Sequence, residues 1–391
     1  MTVTQDLTAS LRVDRAPEIL ADLVRLPSRN PVDGEAAVAA YVAGLLRGLG
    51  LDVETPEALP GRTNVIGRWR GTGGGPALAF NTHMDTVPEG EGWSRGPFDG
   101  ATIEGRLYGR GSVDAKGPLA AFLAAVEALV RSDVRLRGDL VITAVVDEET
   151  CSTGARALVR DLRADLAVVG EPTELAVAIA HRGSFRPVIA VRGRTAHSSR
   201  PAEGVNAVYQ ALPVIDALRR YADGLTRGHP LCGRSSAAVT LLHAGVGENV
   251  IPDRCEITLD RRLVPGEDEE SVRAEIEEVV AGARRSHPGL EAAIERSLAT
   301  TGGPSELPEG HPLVGLALDA VEAAGGTRRV SGMSGACDMT HFRSAGIPCL
   351  VVGPGSSSQA HQPDEHMELD QLRRGALVYA LIACAACEVV A

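Results

Sequence analysis

Four short segments of the sequence concentrate the side chains able to hold a metal ion or move a proton. Asn81-Thr82-His83-Met84-Asp85 closes an apolar, strand-like run, and residues two apart on a strand share a face, so His83 and Asp85 can act together. The expected arrangement is His83 as a ligand, with Asp85 hydrogen-bonding the far ring nitrogen to fix its tautomer; a satisfied structural histidine is the competing reading. Gly109-Arg110-Gly111-Ser112-Val113-Asp114-Ala115-Lys116-Gly117 opens a helix. Its glycines let backbone approach a site closely, and Asp114 can offer one carboxylate oxygen to each of two cations, unless it is simply the helix N-cap. Val146-Asp147-Glu148-Glu149-Thr150 ends a second strand. Neighbouring residues at a strand end diverge, so one glutamate can ligate while the other faces the open coordination position. Paired acids ending so apolar a strand are poorly explained as surface, because burying them uncompensated is costly. The last segment is split: Glu171 in Gly170-Glu171-Pro172-Thr173, and His361 in Ala360-His361-Gln362-Pro363-Asp364-Glu365. Imidazoles and carboxylates around a shared aspartate suit zinc, or cobalt or manganese, and two cations can clamp a hydrolytic transition state from both sides.

These residues need a scaffold that brings strand ends together. Residues 15 to 50 read as two helices, followed by strands at Asn64–Arg70 and Ala77–Asn81, a helix at Pro118–Val130, and strands at Asp139–Val146 and Leu166–Gly170. From His311 onward the same texture returns, with helices near 312–324 and 369–387 and a strand at Cys349–Gly353. Nearly all-apolar strands alternating with helices predict an α/β domain, its mostly parallel sheet covered by helices on both faces. All the chemistry-bearing segments then fall where open α/β sheets place ligands, at or just beyond strand ends. The middle of the chain differs. Strands at Ser184–Arg192, Ser236–His243, Cys255–Leu263 and Leu290–Leu298, with helices at Gly204–Tyr221 and Glu269–Arg285, give the order βαββαβ. That is the ferredoxin-like split unit. The expected organisation is a catalytic domain of residues 1–182 and 300–391, interrupted by an inserted lid or dimerisation domain of residues 183–299.

Composition excludes several alternatives. A net charge of −12 with no dense Lys/Arg block argues against nucleic acid as a partner. Seven scattered cysteines argue for a reducing cytosol over a disulfide framework, and Cys384 and Cys387 read as buried positions of a helix. The N-terminus shows no secretory pattern, and the longest apolar run falls short of the roughly 20 residues that span a bilayer, so a cytoplasmic protein without membrane contact is expected. Ser112 and Ser334 have no evident partnered base, which disfavours a serine nucleophile.

The segments His83-Met84-Asp85, Gly111 to Gly117, Asp147-Glu148-Glu149, Gly170-Glu171-Pro172 and Ala360-His361, in that order, resemble the M20 family of metallopeptidases and deacylases. Acetylornithine deacetylase, succinyl-diaminopimelate desuccinylase and carboxypeptidase G2 are members. The resemblance covers nearly the whole chain. It implies a catalytic domain holding two zinc ions and a ferredoxin-like lid through which the chain forms a homodimer. It also implies that His83, Asp114 and Glu171 bind one metal and that Asp114, Glu149 and His361 bind the other, with Asp114 bridging. Glu148 would be the general base toward a metal-bridging water, and Asp85 would orient His83.

In Gly193-Arg194-Thr195-Ala196-His197-Ser198-Ser199, His197 matches the family's lid histidine, which stabilises the developing oxyanion in the partner's active site; a strand-end histidine that packs the lid is the alternative. Asn249 and Arg262 match lid segments and become candidates for gripping a substrate carboxylate; Arg261 would point away if Arg262 shares a face with Asp260 and Val264. Ser331 to Asp338 departs from the Gly-Thr-Ser-Asp-like loop of many relatives. Met333 and Cys337 bring softer side chains that could line a side-chain pocket, and Met333, Ser334 and Gly335 are candidates for contacting the substrate, with His341 beyond them as helical surface or support. The expected activity is hydrolysis of the amide in a small N-acyl amino acid. The alternatives are a dipeptidase or carboxypeptidase with the same machinery and, remotely, a non-catalytic binding protein.

Overall fold

The computed structural model describes residues 11–390. The chain forms two compact units. The first comprises the segment ending at Ala180, Glu306–Gly332 and the segment from Cys337 onward; the second comprises His181–Ser305 with Met333–Ala336.

The first unit is a mixed α/β fold. Its helices are α1 (Ala16–Val24), α2 (Ala36–Gly48), α3 (Lys116–Arg131), α4 (Thr153–Leu158), α5 (Pro312–Ala323), α6 (Met339–Ser344) and α7 (Leu369–Ala386). The main strands are β1 (Asp52–Glu54), β2 (Val65–Trp69), β3 (Leu78–His83), β4 (Leu140–Val145), β5 (Leu166–Val169), β6 (Val177–His181) and β7 (Cys349–Val351). They lie side by side in the order β1-β2-β4-β3-β5-β7-β6. Every residue of β3 and β4 is buried, as expected for strands covered on both faces. On one face Phe80 of β3 stacks on Phe122 of α3 at 4.8 Å, and Tyr379 of α7 closes the trio at 4.2 Å from Phe122. On the other face Asn81 reaches Asp338, at the start of α6, with a 2.9 Å hydrogen bond.

The sheet is mixed, which corrects the mostly parallel expectation. The central strands β4, β3, β5 and β7 are parallel, whereas β1 and β2 on one side and β6 on the other run antiparallel to their neighbours. Connections of a dozen or more residues, needed for parallel pairs, link β3 to β4 and β4 to β5; β1 returns to β2 through a ten-residue connection instead. Three short strands, Ala101–Ile103, Arg106–Tyr108 and His366–Glu368, form a small separate sheet that the apolar pattern does not announce.

The second unit runs strand Gly183–Arg192, helix Ala207–Asp223, strands Ser236–Ala244 and Arg254–Leu263, helix Glu269–Ser286 and strand Glu291–Leu298. All its main pairings are antiparallel, with Arg254–Leu263 and Gly183–Arg192 central and Ser236–Ala244 on one edge. The two helices pack one face of this sheet through Val214, Leu218, Val272 and Ile276 against Ile189, Ile257 and Leu259. Among the described residues, no helix is long and apolar enough to cross a membrane.

Candidate metal centre

Four adjacent strands of the first unit deliver the cluster. β3 ends on His83; β4 leads through Asp147 to Glu148 and Glu149; β5 leads to Glu171; the chain beyond β7 reaches His361. All lie at or past the C-terminal ends of the parallel strands, where an open α/β sheet leaves a crevice. Asp147 turns the chain with a left-handed φ of 67°, which is how consecutive glutamates come to face different ways. A network absent from the sequence reading holds that turn: the Asp147 N–H donates to Glu35, which also pairs with Arg62, and Asn30 Nδ2 donates to the Asp147 carboxylate at 2.9 Å. Close approach matters at Gly353 too, where a Cβ would lie 2.5 Å from the Glu171 carbonyl.

Asp114 is the centre of the arrangement. Its Oδ1 lies 3.2 Å from His83 Nε2 and its Oδ2 lies 3.4 Å from His361 Nε2. Glu171 Oε1 is 3.9 Å from His83 Nε2, and Glu149 Oε2 is 3.1 Å from His361 Nε2. The residue capping α3 is Ala115, with no side-chain cap, so Asp114 is not the N-cap that its local sequence allowed. His83, Asp114 and Glu149 offer ligand atoms all within 4.8 Å of one another. Two donors each about 2.1 Å from one tetrahedral ion stand about 3.4 Å apart, so the separations of Asp114 from both imidazoles suit a shared cation on either side.

Asp85 faces His83 Nδ1 with both its backbone and its carboxylate. The acceptor nearest His83 Nδ1 is the Asp85 backbone carbonyl at 2.9 Å, with the carboxylate oxygen at 3.5 Å. A proton on Nδ1 suits that contact and would leave Nε2 facing Asp114, available to a cation. The Asp85 carboxylate instead accepts the backbone N–H groups of Glu148 and Glu149, at 3.1 and 3.2 Å, and Asn30 Nδ2 at 2.9 Å. It joins the two strand ends that carry His83 and the glutamates.

The electrostatics also favour cations. Asp85, Asp114, Glu148, Glu149, Glu171 and Asp338 crowd around two imidazoles. Burial pushes Glu148 and Glu171 well above the usual range; His83 opposes this, and the neighbouring carboxylates add to it. Burial disfavours a charged His83, yet hydrogen bonds to Asp114 and Asp85 hold its pKa well up. Hydrogen bonds to Asp114 and Glu149 lift His361 to about 10. Burial opposes ionisation of Asp114, but His361 and His83 together hold it below the usual carboxylate range. So many buried acids in one place call for positive charge, which divalent cations would supply.

Other candidates fall in the second unit. His197 and Val250 are cross-strand partners, and Asn249 accepts the Ser198 N–H at 2.9 Å, so His197 and Asn249 are neighbours. His197 is exposed, which corrects the packing alternative, and its Nδ1 accepts the Ser199 N–H at 3.1 Å. Arg262 shares a face with Asp260, its partner at 2.7 Å, while Arg261 is fully buried and bonded to Tyr221 and Glu267. Met333, Ser334 and Gly335 group with this unit. Cys337 lies in the first unit, its thiol pushed well up by burial. His341 is buried in α6, which excludes the helical-surface alternative and leaves the supporting one. Cys384 and Cys387 are buried in and just beyond α7, and burial pushes their thiols up to about 11 and about 12, which makes them inert.

Residues 79–385 match the sequence model of peptidase family M20/M25/M40. The chain is 34% identical to an acetylornithine deacetylase of Salmonella typhimurium over 365 residues, covering 90% of this chain and 92% of the relative. Its fold is that of a tripeptidase from Staphylococcus aureus (TM-score 0.79, 20% identity, 97% and 99% of the two chains). It is also that of an M20 metallo-carboxypeptidase from Sulfolobus solfataricus (0.78, 18%, 95% and 98%) and of a dinuclear metal-binding M20 peptidase from Bacillus subtilis (0.72, 17%, 97% and 99%). A match across most of the chain, joined to a cluster with this ligand chemistry, places the protein in peptidase family M20/M25/M40, a family of metallo-hydrolases.

Proposed function

We propose that the chain hydrolyses the amide bond of a small N-acyl amino acid with two divalent cations bound, zinc foremost and cobalt or manganese as alternatives. One would be held by His83, Asp114 and Glu171, the other by Asp114, Glu149 and His361. The observation that carries this reading is the split of the Asp114 carboxylate, one oxygen toward each histidine. When bound, the cations would polarise the scissile carbonyl and make water a better nucleophile. Glu148, buried and with a raised proton affinity, would take the proton from that water and return it to the leaving nitrogen. Asp85 would hold His83 in its ligating tautomer and keep Glu148 and Glu149 aimed.

The second unit reads as a ferredoxin-like lid and dimerisation module, supported by its βαββαβ order. Its edge strand Ser236–Ala244 exposes Leu241 and Leu242, and its first helix exposes Tyr209 and Leu212, a surface suited to a homodimer. With Nδ1 accepting from Ser199, a neutral His197 carries its proton on Nε2 and could donate to an oxyanion, in a site shared between subunits. Asn249 and Arg262 would grip the substrate carboxylate, and Met333, Ser334 and Gly335 would contact its side chain. A cytoplasmic location accords with this chemistry.

Preference for an N-acyl amino acid over a peptide rests on the deacetylase relative. The test is a hydrolysis panel on metal-loaded protein, pairing N-acetyl, N-formyl and N-succinyl amino acids with dipeptides and C-terminal-Glu peptides. Chelator-sensitive release from the acyl amino acids is expected. Turnover confined to peptides would replace the reading with a peptidase.

A further inference from the structure

Glu365 is fully buried and only four residues from His361. Its carboxylate gathers the loop that presents Asp114. Oε1 accepts the N–H groups of Val113 and Asp114 at 2.8 and 3.1 Å, and Oε2 accepts the Gly111 N–H at 3.1 Å and Arg110 Nη1 at 2.6 Å. Its backbone carbonyl accepts the Gly109 N–H at 2.9 Å. Just beyond, His366–Glu368 pairs with Arg106–Tyr108, the strand preceding the same loop. One residue thus ties the segment bearing His361 to the segment bearing Asp114.

The residue type follows from counting donors. Four N–H groups converge on one side chain, and only an ionised carboxylate offers two acceptor-only oxygens, each able to take two of them. Glutamine would turn an NH₂ group toward two of those donors. Asp114 can divide its oxygens between His83 and His361 only while its backbone is held in this register, because a carboxylate one methylene from the main chain has little reach of its own.

We propose that Glu365 is a positioning residue that fixes Asp114 as the bridge between two cations. The proposal rests on the two-cation reading above. It is tested on metal-stripped full-length protein titrated with Mn²⁺, with binding followed by calorimetry and metal–metal coupling by electron paramagnetic resonance. Wild type is expected to bind two Mn²⁺ with a coupled spectrum; failure there would sink the two-cation reading itself. Glu365→Gln is expected to bind the second Mn²⁺ at least about tenfold more weakly, with the coupled signal lost. Glu365→Asp, one methylene shorter, should behave likewise. Val126→Ala, a core truncation in α3, should lose stability and keep the coupling. With wild type intact, the proposal is overturned if both Glu365 variants keep wild-type affinities and coupling. It is equally overturned if Val126→Ala loses the coupling too, or if neither Glu365 variant folds, since Glu365 would then serve general stability.

Discussion

Individual residues in this centre are legible from sequence to different degrees. His83, Glu148 and Glu149 stand out because a charged group ending an apolar strand demands a reason. Asp114 does not: its local sequence fits a helix cap equally well, and only its distances from two histidines decide. Asn30, Arg62 and Glu365 are invisible at this scale, since their partners are remote in sequence and no spacing rule connects them. His361 gives a test of the electrostatics. Its folded pKa, lifted to about 10 by Asp114 and then Glu149, lies above the unfolded value, so in metal-free protein its ion pairing stabilises fully below about 6.5. That contribution disappears as pH rises through about 10. Metal-free His361→Gln should therefore melt below metal-free wild type at pH 6, with the gap closing by pH 10. A gap that is constant or widens with pH would contradict the pairing.

At the scale of elements, the apolar runs and helical periodicity announce β3, β4, β5, α3 and α7 within a few residues, because burial selects stretches rich in Val, Leu, Ile and Ala. Direction is less legible. A fully buried strand has the same composition whether its neighbour is parallel or antiparallel, so the mixed edges of the sheet emerge only from the pairing. The short strands around residues 101–108 and 366–368 lack any hydrophobic repeat long enough to read. With aromatics scarce, the stacked Phe80, Phe122 and Tyr379 weigh heavily in joining β3, α3 and α7. Phe122→Ala is expected to cost about 3–5 kcal/mol in denaturant unfolding. A loss under about 1 kcal/mol would show that the trio is not the junction argued here.

For the whole molecule, the sequence discloses two textures, an α/β alternation and a βαββαβ order, because hydrophobic period changes between them. It does not disclose that Met333–Ala336 groups with His181–Ser305, a long-range matter that no local pattern encodes. If the site is shared between subunits, a His197→Ala chain mixed with a Glu148→Gln chain should regain part of the activity that each lacks alone. Heterodimers that form and stay inactive would show that His197 does not serve a partner's site.

The central claim is that two cations and Glu148 together perform the hydrolysis. The most direct measurement adds zinc stepwise to stripped protein while following both metal uptake and turnover of an N-acetyl amino acid identified by the hydrolysis panel. Wild-type turnover should saturate at two equivalents per chain, and Glu148→Gln should take up the same two equivalents with turnover reduced about 10²–10⁴-fold. Full turnover without metal, or Glu148→Gln as active as wild type at equal loading, would contradict it.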